Sequence, residues 1–240
     1  MAPKIRSWVH SVKPLGDFPS AARGDAHPPS DSAPTLPTPL ETFSDSSGDK
    51  SGPLARALAL LFEPSPILYD ALVPALAASI RSTSTPPILS YTHLIDTAIT
   101  TIAAWPDAQQ AAFVAAHPRI GEIAGLSALS AQEQAARATP PEVLARLAHL
   151  NRLYESVYPG LVYITFVNGR SREEIKDEME DKLGIEHSTS PDEPSSNSLA
   201  SVEEATERWT GELRRAVVDV GKIAKARLRA LGEAEEAQGA

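Results

Sequence analysis

The 240-residue chain has no cysteine, so disulfide cross-links, thiolate metal ligands and a cysteine nucleophile are all excluded, and a reducing compartment suits it. It is short of positive charge. Its 22 Lys and Arg stand against 31 Asp and Glu, a formal charge of −9, and no basic cluster exceeds a pair. Such a surface holds neither a phosphate backbone nor an anionic lipid face, so nucleic acid and membrane are not expected partners. No apolar run approaches the roughly 20 residues that a membrane-spanning helix needs, and the first residues lack the apolar core of a secretory signal. The 13 glycines form neither a phosphate-binding loop nor a nucleophile elbow, which removes the usual supports of nucleotide and acyl-transfer chemistry. The histidines His10, His27, His93, His117, His149 and His187 never fall at i, i+3 or i+4 spacing, so no metal site is expected.

Proline, by contrast, is abundant: 21 residues, concentrated between Lys13 and Pro53 among Ser, Asp and Gly. That composition offers too little apolar surface to offset the entropy of ordering, so residues 1–52 are expected to form a disordered tail. Residues 187–201, with Pro191, Pro194 and six serines, read as a polar surface insert between helices. Residues 233–240 read as a flexible end. Between them the periodicity is helical. Leu54 to Glu63 is rich in Ala and Leu, and Ile88 to Trp105 aligns Tyr91, Leu94, Ile95, Ala98, Ile99 and Ile102 on one face. Ser or Thr followed three residues on by Glu marks helix starts at Ser130/Glu133, Thr139/Glu142, Ser171/Glu174 and Ser201/Glu204. The stripes Val143 to Val157 and Trp209 to Leu231 are core faces. Only Leu161 to Val167 has strand composition, and one strand cannot make a sheet. It is therefore expected to be a buried extended connector in a compact, single-domain, all-α helical bundle spanning residues 53–232.

Chemistry has few places to reside. His117 precedes Pro118, which disfavours the α conformation before it and fixes the ring at the end of a short helix. A helix carboxyl terminus favours the imidazolium, which suits a proton donor or shuttle. Spacing alone leaves open whether His117 is a helix cap or a catalytic group. Likewise Ser130 to Gln134 reads as a capping box or as a helix start that receives an anionic or amide-rich ligand.

Several segments in order resemble the 2-oxo-4-hydroxy-4-carboxy-5-ureidoimidazoline (OHCU) decarboxylase family: Leu61-Phe62-Glu63-Pro64, His117-Pro118-Arg119-Ile120-Gly121-Glu122, Ser130-x-x-Glu133-Gln134, Leu150-Asn151-x-x-Tyr154, Phe166-Val167-Asn168-Gly169, and Glu212-Leu213 through Ile223-Ala224-x-x-Arg227-Leu228. The resemblance implies an all-helical, cofactor-free enzyme, often dimeric and so allowing a homodimer, that acts on a small-molecule ureidoimidazoline and releases (S)-allantoin in urate breakdown. It implies His117 as catalytic acid/base with Glu133 supporting it. Pro118, Ser130 and Gln134 would surround the substrate, with Tyr163, Ile164, Thr165, Phe166 and Val167 supplying backbone hydrogen bonds. The family's carboxylate-binding arginine falls on Lys182, which keeps the charge but loses the bidentate fork; Arg119 and Arg170 are the next cations in line. A rival expectation, favoured by Lys182, is a non-catalytic helical scaffold or binding module. The ending Gln238-Gly239-Ala240 is not a peroxisomal tail, which leaves the cytosol as the default setting.

Overall fold

Thr38 opens the first helix, α1 (Pro39–Ser44), by accepting the Glu41 amide while the Glu41 carboxylate accepts the Thr38 amide in return. Thr42 is fully buried with its Oγ1 2.8 Å from the Tyr91 hydroxyl, and the Phe43 ring meets Tyr91 edge-on at 5.1 Å. Residues 39–44 are therefore structured, although they fall within the 1–52 stretch expected to be disordered. Averaged Pro/Ser composition hid a local start signal backed by two anchors. The computed structural model describes residues 34–84, 86–122, 126–127, 129–131 and 139–232; the tail to Ala33, residues 233–240, and Glu133 and Gln134 lie outside them.

Asp45 leads into α2 (Pro53–Leu61), its Oδ2 accepting the Leu54 amide at 3.1 Å. A π turn, Leu68–Leu72, continues into α3 (Val73–Arg81), and α4 (Tyr91–Ala103) starts under the Ser90 hydroxyl. The expected apolar face of α4 is buried at Tyr91, Leu94, Ile95, Ala98 and Ile102. After α5 (Asp107–Val114) come α6 (Pro141–Val157), α7 (Arg172–Leu183) and α8 (Glu207–Ala230). The last helix packs along α4, α5 and α2, while α6 lies against α7. Contact between α4 and α8 is close at Gly221, where an added Cβ would stand 2.9 Å from Ile99. Among the described residues there is no strand, which is the all-α architecture the periodicity implies.

Two helix starts differ from expectation. Thr139 does not cap α6, because Pro140 and Pro141 hold the preceding backbone extended and the Thr139 hydroxyl accepts from Arg172 at 2.8 Å. Ser201 does not cap α8: the Val202 amide is tied to the Val157 carbonyl at 2.7 Å, Ala205 takes a left-handed φ of 61°, and Thr206 becomes the cap. The Ser171/Glu174 box forms as expected.

The polar insert runs over α6 and α7 and is fastened to them. Arg146 and Glu180, both fully buried, pair at 2.7 Å. Arg146 also donates to the carbonyls of Ser190 and Glu193, His149 Nε2 lies 2.9 Å from the Pro194 carbonyl, and the Ser188 amide donates to Glu180 at 3.1 Å. Of the Arg146 nitrogens only Nη2 is left without a described partner, and removing one of the other bonds would leave the buried charge at a higher cost.

Candidate active site

The turn after α5 ends a helix and begins the site. The His117 amide still reaches the Val114 carbonyl at 3.0 Å, and Pro118 then stops the helix. The ring is 5% exposed, packs edge-on against Phe113 at 5.7 Å, and its Nδ1 lies 3.3 Å from the Phe113 carbonyl. A carbonyl only accepts, so Nδ1 carries the proton and Nε2 the lone pair. Nε2 is buried with no partner among the described residues. Burial first, then the Arg227 charge, push the pKa of His117 down to about 4, against the opposing pull of Glu63 and of its own backbone contacts. The ring is thus neutral near pH 7. The imidazolium expected from the helix terminus is overturned, because desolvation outweighs a terminal dipole.

Beside His117 lies a buried polar cluster. Arg227, on α8, donates from Nη2 to Glu63 at 2.7 Å and to the Ser130 hydroxyl at 2.7 Å, and from Nη1 to the Phe62 carbonyl. Ser130 in turn donates to Glu63, as does Ser127 at 3.2 Å. The turn containing Ser130 starts earlier than expected, since the Ser127 hydroxyl accepts the Ser130 amide at 3.3 Å and residues 129–131 are already helical. That frees the Ser130 hydroxyl to bridge Glu63 and Arg227.

The connector forms the opposite wall. Val162, Tyr163, Ile164 and Thr165 are buried, Phe166 is half-buried and Val167 reaches the surface. None of the backbone N–H groups of residues 162–168 donates to a described acceptor, whereas the carbonyls of Ile164, Phe166 and Val167 are taken by Arg215 and Arg170. Buried amides without partners are rare unless a ligand or water serves them. Asn168 and Gly169, at φ 47° and 78°, turn the chain out of the connector through the left-handed region.

A cavity of about 520 Å³ lies between these walls. It brings together His117, Pro118, Ser130 and all five expected connector residues, Tyr163 to Val167. It does not include Lys182, whose Nζ pairs with Glu212 at 2.9 Å. Nor does it include Arg119, which pairs with Glu155 at 2.5 Å. Instead four arginines, Arg170, Arg172, Arg227 and Arg229, line it, and a wall of this charge suits an anionic ligand. Glu63 and Arg227 stood in the motifs without an assigned role. The available signal was a charge in the core stripe of α8, where Arg227 falls beside Ala224 and Leu228 and is 3% exposed. The Asp177, Glu180 and His187 side chains come within metal-ligand spacing away from the cavity, but the Lys176 ammonium already bonds Asp177 and Glu180.

A family model described as OHCU decarboxylase matches residues 51–193, more than half of the chain. No curated protein and no solved structure matches it.

Proposed function

The chain belongs to the OHCU decarboxylase family, and from that premise we propose that it is a carboxy-lyase converting 2-oxo-4-hydroxy-4-carboxy-5-ureidoimidazoline to (S)-allantoin, with His117 as its base. The observation that carries this reading is the neutral His117 ring, its Nε2 unpartnered among the described residues, set in a cavity lined by arginines and unpaired amides.

Such a substrate holds its own electron sink, a C=N bond next to the carbon bearing the carboxylate and hydroxyl, so the protein need only bind, orient and move protons. Arg227, which lines the cavity and is oriented by Glu63 and Ser130, takes the carboxylate in place of Lys182, which pairs with Glu212 outside the cavity. The connector amides receive the ring oxygen and the ureido carbonyl. The bond from the ring carbon to the carboxylate breaks, CO2 departs, and the released pair forms a C=C bond to the neighbouring ring carbon while the π pair of the C=N bond moves onto nitrogen, which takes a solvent proton and leaves an enol. His117 Nε2 accepts the hydroxyl proton as the enol becomes a carbonyl. The imidazolium then returns a proton to the neighbouring carbon on one face, which sets the configuration of the product. Glu133, as support for His117, and Gln134, as a substrate contact, belong to the proposed set and lie outside the described residues. A cytosolic setting in purine breakdown accords with the absence of cysteine, and no described helix is long and apolar enough to cross a membrane.

The test is to add the protein to freshly generated OHCU and follow the circular dichroism of allantoin. The dextrorotatory signal should rise faster than in buffer. An unchanged rate sinks the proposal and leaves the scaffold reading.

A further inference from the structure

We propose that Arg215 is a positioning residue for the substrate site: by holding the Ile164 carbonyl from α8 it fixes the register in which the connector presents its free backbone groups. The proposal rests on reading the connector as the surface that binds substrate.

Arg215 is bonded on every side. Its Nη1 donates to the Ile164 carbonyl at 2.8 Å and to Asp219 at 2.9 Å, while Nε and Nη2 both donate to Glu212 Oε1, at 3.0 and 2.7 Å. The guanidinium also lies over the Tyr163 ring, 5.3 Å from its centre. Glu212 cannot swing away, since it accepts the Tyr154 hydroxyl at 2.8 Å and the Lys182 ammonium at 2.9 Å. A planar fork held at each nitrogen acts as a rigid bracket. This also gives Lys182 a task, neutralising the second oxygen of Glu212.

A second bracket holds the connector further on. Arg170 donates to the carbonyls of Phe166 and Val167 and is itself paired with Glu178, which accepts the Tyr163 hydroxyl at 2.7 Å. Thr165 lies between the two. It is 8% exposed, and neither its amide nor its carbonyl has a described partner. Without Arg215 the buried Ile164 carbonyl would be left bare, and the connector would have to turn to satisfy it, shifting Thr165 out of register.

The experiment combines kinetics with hydrogen exchange on the full chain carrying Arg215→Met or Arg215→Lys. For Arg215→Met the expected result is a rise in KM of at least about tenfold with a much smaller fall in kcat, since binding geometry and not proton transfer is disturbed. Exchange of the amides of residues 162–168 should speed up while that of α2 to α6 stays as in the wild type. Arg215→Lys should recover part of both effects, because an ammonium can reach Ile164 without bridging Glu212 and Asp219. Wild-type KM and connector exchange in Arg215→Met overturn the proposal; if that variant does not fold, the same result in Arg215→Lys does so. If the wild type itself leaves OHCU decay unaccelerated, the proposed function falls, and the exchange comparison alone then decides whether Arg215 holds the connector.

Discussion

His117 should make the stability of this protein depend on pH in a way that a glutamine at the same place would not. The folded ring has its pKa pushed down to about 4 from an ordinary 6.5. Between those values the unfolded chain binds a proton that the folded chain refuses. Stability contributed by the neutral, buried ring is therefore complete above about pH 6.5 and is lost as the pH falls towards about 4. At 1.36 kcal/mol for each tenfold change in proton concentration, the loss approaches about 3 kcal/mol. Urea unfolding of the wild type and of His117→Gln between about pH 7.5 and about pH 4.5 measures it, because the carboxylates common to both proteins cancel in the difference. The wild type's advantage should shrink by about 2–3 kcal/mol over that range. A gap that stays constant with pH would refute the argument that burial and Arg227 hold the ring neutral. In the same samples His117→Gln should lower turnover by about 10²-fold or more at neutral pH, the scale of a lost acid/base group. A variant that loses stability and keeps its turnover would make His117 a helix cap.

Arg227→Met should destabilise the fold by about 3–5 kcal/mol in denaturant titration, because Glu63 is left buried with only serine partners. Adding Glu63→Gln should restore part of that stability and none of the activity. Gly121→Ala, at φ 82° with Leu147 3.4 Å from the new Cβ, should cost about 1–2 kcal/mol and lower the melting temperature, since L residues pay for the left-handed region. A chain shortened to begin at Ser51 should melt lower than the full one, as it loses the Thr42 and Phe43 contacts to Tyr91 and the Asp45 cap on α2.

What the sequence made legible was what local patterning controls. The apolar faces of α4, α6 and α8 follow from spacing alone, and the Ser171 box follows from residues three apart. The starts of α6 and α8 did not, because each depends on a competing partner far along the chain: Arg172 for the Thr139 hydroxyl, and Val157 for the Val202 amide. Helix α1 was missed for a related reason. Its box, Thr38 and Glu41, is visible, but what holds it is Tyr91, 49 residues beyond Thr42. Within the site, His117 and the connector stood out as a fixed ring and as backbone that no helix consumes. The charge state of the ring was not legible, since burial and the position of Arg227 come only from packing.

The choice of cation shows why packing decides. Lys182 and Arg227 are both long basic residues on amphipathic helices, and sequence position favoured Lys182 at the edge of the α7 stripe. In the folded chain Lys182 meets Glu212 and serves the bracket behind the connector, whereas Arg227 enters the core, meets Glu63 and Ser130, and lines the cavity. An arginine suits that second position physically: it can bond the Phe62 carbonyl, Glu63 and Ser130 with two of its nitrogens while its charge, held in a dry wall, both lowers the pKa of His117 and attracts an anion. Residue 227 lies outside the family-matched span of residues 51–193. The site is thus assembled from two parts: the matched segments supply the histidine and the connector, and α8, packed along α2, α4 and α5, brings the charge that adds to burial in keeping the ring neutral and the bracket that holds the connector.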